Sequence, residues 1–267
     1  MSAATASPAS TPRPLLPATV RQSLVLAGRA VRKIVRTPEQ LLDVTLQPVI
    51  FVLLFVYVFG GAIAGSRHEY LEYVLPALLV QTVLFGSVAI GVNLNTDVEK
   101  GVFDRFRSLP ISRSAPLVGA VLGDVVRYAV SVVVLAAVGF SIGFDVRTNA
   151  LEALAGAVLV IGFALCLCWV SVWLGLVARS AGSVQGIAFL VLFPLTFGSN
   201  AFVQTSTLPG WLQAWTHLNP VSHVLEAERG LLVGGPVAQP LLVTACWMVG
   251  LLAVFVPLAT RAYRKRT

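Results

Sequence analysis

The sequence predicts an all-α polytopic membrane protein with six transmembrane helices. Hydrophobic residues fill 57% of the 267 positions and charged residues only 12%, which is roughly half the charged fraction of an ordinary soluble domain. The charges are clustered, and they leave apolar stretches of about 18 to 25 residues, long enough to cross a hydrocarbon core as helix. We therefore interpret the net charge of +7 as Lys and Arg gathered on cytoplasmic loops, and we expect no nucleic-acid partner.

The N-terminal region divides into a tail and a basic helix. Residues 1–19 are rich in Ala, Ser, Thr and Pro, and they predict a disordered cytoplasmic tail. Residues 20–36 repeat apolar side chains at helical spacing, which predicts an amphipathic helix lying flat on the inner membrane surface. The basic face of this helix consists of Arg29, Arg32, Lys33 and Arg36. These cations would lie against anionic lipid head groups.

Six apolar segments follow, and each is predicted to span the membrane. They cover about residues 41–64, 71–95, 116–143, 151–178, 184–203 and 239–259. The stretch 204–238, between the fifth and sixth segments, is apolar but too interrupted to form another span. We expect short re-entrant helices there at the outer face, broken at Asn219-Pro220, because irregular backbone at membrane depth must be covered by protein or water.

The distribution of cations predicts that both termini are cytoplasmic. Of the 19 Lys and Arg residues, three (Arg67, Arg147 and Arg229) would lie on outer segments and one (Arg127) inside the third span. The other fifteen fall on cytoplasmic segments: Arg13, Arg21, Arg29, Arg32, Lys33, Arg36, Lys100, Arg105, Arg107, Arg113, Arg179, Arg261, Arg264, Lys265 and Arg266. Together with an Ala-, Val-, Leu- and Arg-rich composition, this predicts a multi-pass protein of a bacterial inner or plasma membrane.

Ionisable residues in apolar segments are the first candidate functional residues, because burying them is costly. Asp124 and Arg127 are three residues apart in the third predicted span, so they can pair on one helix face. They form either an interfacial salt bridge or part of a polar vestibule. In the outer re-entrant region, we expect Glu226 and Arg229 to form a local pair that caps the element, with contact to a substrate as the alternative.

No pattern in the sequence predicts catalysis or a metal site. The chain has no Gly-rich phosphate loop followed by Lys and Ser or Thr, so it is not expected to bind ATP by that route. The three histidines and three cysteines show no metal-ligand spacing. The cysteines all fall in apolar runs, and we interpret them as small packing residues.

The most densely charged stretch is 98–113, which reads VEKGVFDRFRSLPISR and lies between the second and third predicted spans. Its residues Phe103 and Phe106 are three apart, so both can enter an apolar cleft of a partner protein. The surrounding charges would then set the register of docking. A solvated positive-inside loop would explain the charges but would leave both aromatic rings exposed. The pattern favours docking, and we call 98–113 the docking segment.

The docking segment resembles the coupling helix between the second and third spans of ABC-2 type permeases. The resemblance rests on Glu-Lys-Gly at 99–101 and Leu-Pro at 109–110. It extends to the basic helix before the first span, to six spans with both ends inside, and to the pattern H-L-N-P-V-S-H…E-x-x-R-G…G-G-P at 217–236. The chain is similar to the daunorubicin-resistance (DrrB-like) branch of these exporter permeases.

The resemblance implies a non-catalytic permease subunit of an ATP-driven exporter that moves an amphiphilic drug, antibiotic or lipid. Residues 37–267 would form the ABC-2 type transmembrane domain. ATP and Mg would bind a separate cytoplasmic ABC ATPase subunit, and this chain would hold no cofactor. The other implied partners are membrane lipid and a second permease, either an identical copy in a homodimer or a close paralogue. The residues implied in ATPase coupling are Glu99, Gly101, Phe103, Arg105, Phe106, Leu109 and Pro110.

Two other classes of function stay open at this point. A secondary, proton-coupled or passive transporter would need essential acids deep in the bundle, and the chain has few. An integral membrane enzyme acting on lipid would need a cluster of polar residues at one depth, and the sequence shows none. A neighbouring gene for a soluble ATPase would distinguish the exporter from both.

Overall fold

The computed structural model describes residues 38–61, 65–101 and 115–266, together with Gly28. Every regular element within these residues is helical, which confirms the all-α prediction. The α-helices are α1 (Pro38–Leu54), α2 (Arg67–Gly86), α3 (Val88–Glu99), α4 (Ala115–Ser141), α5 (Ala150–Val177), α6 (Ala181–Phe197), α7 (Gly210–Leu218), α8 (Pro220–Val233) and α9 (Ala238–Arg266). A π-helix (Phe55–Phe59) continues α1, and a short 3-10 helix (Thr205–Thr207) precedes α7.

Four stretches of the described chain are long and apolar enough to cross a membrane. They are Arg67–Glu99 (α2 with α3), Leu117–Ser141 in α4, Ala150–Val177 (α5) and Ala238–Lys265 in α9. These stretches coincide with the second, third, fourth and sixth predicted spans. The regions predicted as the first and fifth spans hold shorter apolar helices, Leu46–Phe59 and Ala181–Phe197. The fold is therefore that of a multi-pass helical membrane protein.

Asparagine side chains fix the start of two helices. Asn149 and Glu152 form a capping box, in which each side chain accepts a hydrogen bond from the backbone N–H of the other. Asn219 ends α7, and its Oδ1 accepts a hydrogen bond of 2.9 Å from the N–H of Val221. Pro220 is the first residue of α8, where its fixed φ suits a helix and its missing N–H costs nothing. The chain therefore turns from α7 into α8 within one residue.

Helix α2 is the buried centre of the bundle. It packs against α1, α4, α5 and α8, and most of its side chains from Tyr70 to Leu84 are buried. Helix α9 packs along α5 and α8. Large apolar side chains on the outer faces of α1, α6 and α9, such as Ile50, Leu190 and Val249, are exposed, as expected of surfaces that contact lipid.

The bundle has two ends, which we name after one residue at each. The Arg147 end holds the start of α2, the α4–α5 loop and the end of α8. There, the N–H of Arg147 donates to Leu232 O at 3.0 Å, and Arg147 Nη2 lies 2.6 Å from Glu72 Oε1. The Glu99 end holds the last turns of α3 and α5, which are joined through Asn95.

Three predicted features lie outside the described residues. The first is the cytoplasmic tail, 1–19. The second is the basic face of the N-terminal helix, which consists of Arg29, Arg32, Lys33 and Arg36. The third is most of the docking segment, including the candidate coupling residues Phe103, Arg105, Phe106, Leu109 and Pro110. The structure therefore describes only the first residues of the docking segment, 98–101.

Candidate functional site

Helix α3 leads from the bundle interior into the docking segment. Its last residue, Glu99, is exposed, and Lys100 follows with its N–H bonded to Thr96 O at 3.0 Å. Gly101 has a φ of 66°, a left-handed conformation that glycine adopts without strain. Glu99 and Gly101 therefore flank the turn through which the chain leaves α3.

Helices α3 and α5 touch backbone to backbone. A methyl group added to Gly91 would collide with the carbonyl oxygen of Ser171, and one added to Gly175 would collide with the carbonyl oxygen of Gly91. Backbones approach this closely in membrane proteins only where small residues face each other. We call the contact between Gly91, Asn95, Ser171, Gly175 and Ala178 the α3–α5 seam.

Asn95 closes the α3–α5 seam at the Glu99 end. Its side chain is 1% exposed. The amide Nδ2 donates to Gly175 O at 2.9 Å and to Ala178 O at 3.0 Å. Gly175 lies in the last turn of α5 and Ala178 directly follows it, where a helix has no intrahelical donors left for its final oxygens. Asn95 thus acts as a C-terminal cap supplied by another helix.

The candidate pair Asp124 and Arg127 forms an ion pair on α4, with Oδ2 and Nη2 3.3 Å apart. Both side chains are buried in the bundle and do not extend along α4 to the surface. Arg127 also donates a hydrogen bond to Gly86 O, the last residue of α2. The next residue, Ser87, interrupts the helix, and its hydroxyl donates to Leu84 O at 2.7 Å. The ion pair therefore lies at the break between α2 and α3.

Tyr128, the residue after Arg127, connects this ion pair to α5. The hydroxyl of Tyr128 lies 3.0 Å from Cys168 Sγ, and the guanidinium carbon of Arg127 lies 5.3 Å from the centre of the Tyr128 ring. Cys168 is completely buried, as expected of a packing residue. The polar group on α4 thus contacts both α2 and α5.

Arg229 joins three elements at the Arg147 end. Its Nε donates to Tyr73 O at 3.1 Å, and its Nη2 donates to Asn200 O at 2.8 Å and to Ala201 O at 2.9 Å. The guanidinium carbon lies 3.7 Å from the centre of the Tyr73 ring, a cation–π contact. A cavity of about 550 Å³ lies beside this cluster, between α2, α8 and residues 202–207.

Glu226 and Arg229 do not form the local pair that the sequence suggests. Among the described residues, no ion pair joins them, and Glu226 Oε1 instead accepts a hydrogen bond of 2.9 Å from Asn200 Nδ2. Asn200 therefore binds Glu226 through its amide and Arg229 through its carbonyl. The two side chains do not pair because the loop after α6 supplies other partners for both of them. Spacing along α8 cannot reveal these tertiary contacts.

Glu228 is a buried carboxylic acid for which the sequence, where it stands beside Glu226 and Arg229 in the outer region, predicts no role of its own. It is 1% exposed, and within the described chain its Oε2 has no hydrogen-bond partner. A methyl group added to Gly156 of α5 would fall 2.9 Å from this oxygen, so the glycine provides the space that the carboxyl group fills. Burial raises the pKa of Glu228 to about 8, which favours the neutral acid at neutral pH.

The corner between α7 and α8 is fixed to α6. Asn219 Nδ2 donates to Leu195 O at 2.7 Å. Asn219 and Pro220 therefore have a structural role at this corner.

The two histidines of this region are close, with His223 Nε2 3.0 Å from His217 O, yet no group of three or more metal-ligating side chains occurs in the described part of the chain.

Comparison with known proteins places these features in a family. The family model "ABC-2 type transporter" matches residues 21–233. The daunorubicin resistance ABC transporter permease protein DrrB1 of Streptomyces coeruleorubidus is 41% identical over 254 residues, which is 95% of this chain and 90% of the relative. The probable doxorubicin resistance ABC transporter permease protein DrrC of Mycobacterium tuberculosis is 24% identical over 92% of this chain and 89% of its own. The inner membrane transport permease YadH of Escherichia coli is 26% identical over 68% of this chain and 72% of its own.

The fold is that of a multi-pass helical membrane protein. The chain belongs to the ABC-2 type transporter family, as a permease subunit. The sequence-based identification is confirmed by the match over most of the chain. Membership in this family implies a separate ATPase partner and a dimeric assembly.

Proposed function

We propose that this chain is the membrane subunit of an ATP-driven exporter that moves an amphiphilic drug, antibiotic or lipid out of the cell. The observation that carries the proposal is the 41% identity to a daunorubicin resistance permease along nearly the full length of both chains. The geometry supports it, because α3 runs from the bundle interior directly into the docking segment.

The proposed topology has six spans and two cytoplasmic termini. Helix α6 has 17 residues, about 26 Å of helix, which is near the lower limit for crossing a hydrocarbon core of about 30 Å. Helices α7 and α8 have 9 and 14 residues, too few to cross, and they suit re-entrant elements at the outer face. Lys100 and Arg179 follow the last turns of α3 and α5 at the Glu99 end, and together with the distribution of cations along the sequence they support a cytoplasmic location for that end.

In this proposal, the docking segment binds the ATPase. Phe103 and Phe106 would enter an apolar cleft of that subunit, and Glu99 and Gly101 would join the docked segment to α3. The basic helix 20–36 would lie on lipid beside it. A second permease, identical or closely related, would complete the transporter.

A resistance assay tests the proposal in cells. A drug-sensitive bacterial host that expresses the permease with its partner ABC ATPase should tolerate more daunorubicin than a host expressing either chain alone. The double substitution Phe103→Ala and Phe106→Ala should abolish this tolerance and prevent co-purification of the ATPase. The control Phe140→Ala removes an exposed phenylalanine of α4 and should change neither result.

Two results of this assay would contradict the proposal. Equal tolerance with and without the ATPase would contradict ATP-driven export. Normal co-purification of the ATPase with the Phe103 and Phe106 variant, at an equal level in the membrane, would contradict docking through this segment.

A further inference from the structure

The α3–α5 seam couples the docking segment to one particular part of the bundle. Asn95 lies one helical turn before Glu99, so it is the buried polar side chain of α3 nearest to the docking segment. The carbonyls that it binds, at Gly175 and Ala178, belong to the end of α5. A short turn, residues 178–180, joins the end of α5 to the start of α6.

Helix α3 also packs on α6. Val88 of α3 and Ala188 and Leu192 of α6 form a small buried apolar cluster, separate from the main core. The rings of Phe85 and Phe189 lie 5.2 Å apart beside it. Helices α3, α5 and α6 are therefore in mutual contact.

At its other end, α3 is separated from α2 by a single residue, Ser87. The N–H of Ser87 bonds to Val83 O, as in a regular α-helix, and also to Leu84 O. Gly86 and Ser87 form a Gly-Ser pair, a place where helices kink. Arg127 binds the carbonyl of Gly86 at this break. Ser87 thus sets α3 off from α2, while the seam holds α3 against α5.

We infer that Asn95 is a positioning residue for ATP-driven transport. Asn95 joins α3 to the end of α5, so that displacement of the docking segment moves α3, α5 and α6 together. The inference rests on the function proposed above. In this role, Asn95 touches neither substrate nor ATP. It acts by preventing α3 from sliding along α5 when the docking segment is displaced.

The test uses the complex of permease and ATPase in lipid vesicles, where ATP hydrolysis and drug transport are measured together. Asn95→Ala removes the amide that binds both carbonyls. Transport per ATP hydrolysed should fall about tenfold, since losing a buried hydrogen-bonding group shifts a conformational equilibrium by about that factor. Hydrolysis itself should continue. The matched control is Asn93→Ala, which changes a half-buried asparagine of the same helix.

A distance measurement provides a readout that a loss of stability would not produce. Spin labels are placed at the exposed positions Lys100 and Arg179, with the exposed Cys246 changed to Ser. In the parent protein, the distance between the labels should stay narrow and unchanged when ATP binds. In Asn95→Ala it should broaden or shift with ATP, and in Asn93→Ala it should not. Asn95→Asp, which loses the amide donor at constant size, should behave like Asn95→Ala.

Three results would overturn the inference. One is an unchanged transport-to-hydrolysis ratio in both Asn95 variants. Another is a fall of equal size in Asn93→Ala. The third is a label distance that stays narrow in the Asn95 variants through the ATP cycle. If the parent complex itself shows no ATP-driven transport, the proposed function fails, whereas the label distance still reports separately on whether Asn95 holds α3 to α5.

Discussion

The carboxyl group of Glu228 on α8 fills the space left by the missing side chain of Gly156 on α5. A methyl group on Gly156 would lie 2.9 Å from Oε2 and 3.1 Å from Oε1. Burial raises the pKa of this acid from the ordinary 4.5 to about 8. The contact between α5 and α8 therefore depends on the proton of Glu228.

The first prediction concerns pH. Because the folded protein binds the Glu228 proton more tightly than the unfolded chain does, this contribution to stability is complete below about pH 4.5 and is lost as pH rises through about 8. The melting temperature of the detergent-solubilised protein should fall across that window. Glu228→Gln, which stays neutral, should flatten the profile. An identical pH dependence in both proteins would contradict the assignment.

The second prediction concerns the α3–α5 seam. Gly91→Ala places a methyl group against the backbone of Ser171, and overpacking of this kind costs about 1–3 kcal/mol. Thermal unfolding in detergent should show a lower melting temperature. Gly182→Ala adds the same methyl group to α6 where no atom lies within 4 Å, so it should be neutral or stabilising. Equal melting temperatures for the two variants would show that the seam is not closely packed.

The third prediction contrasts two arginines at the Arg147 end. Arg229→Lys cannot reproduce three hydrogen bonds to fixed carbonyls and the stacking on Tyr73, and should cost about 2 kcal/mol or more. Arg147→Lys keeps a charge opposite Glu72 at a side chain that is 57% exposed, and should cost under about 1 kcal/mol. Denaturation of the two variants in detergent compares them directly. A larger loss for Arg147→Lys would contradict the roles described.

The fourth prediction concerns the buried ion pair. Asp124→Asn and Arg127→Gln each leave an uncompensated group in the bundle, and each should cost about 3 kcal/mol. The double variant should lose less than the sum, because it leaves no isolated charge. A double-mutant cycle on unfolding free energies measures this. Additive losses would mean that the two side chains act independently, and the Gly86 contact of Arg127 would then account for its effect.

The hydrophobic pattern located the long helices well, because lipid requires continuous apolar length. The third and fourth predicted spans, 116–143 and 151–178, differ by at most two residues from Leu117–Ser141 and Ala150–Val177. The ends of the shorter helices were less predictable. Segment 184–203 forms helix only to Phe197, since residues 200 and 201 turn their carbonyls toward Arg229.

The contacts within the candidate site were mostly not predictable from spacing. Gly91 and Gly175 each lie four residues after a serine, Ser87 and Ser171, but small residues at this spacing recur along the chain, so the pattern does not say which of them meet. Asn95 was visible as a polar residue in an apolar span, but its partners lie about 80 positions away. Glu228 was visible as an acid in an apolar region, and only the structure shows that Gly156 makes room for it. Tertiary proximity decides each of these cases.

Drug uptake by inside-out membrane vesicles that contain the permease and its ATPase measures ATP-driven export directly. Addition of ATP and Mg should cause daunorubicin to accumulate, and vanadate should stop it. A protonophore should leave the initial rate unchanged. Accumulation that follows a pH gradient without ATP, or that persists when the ATPase is omitted, would contradict ATP-driven export.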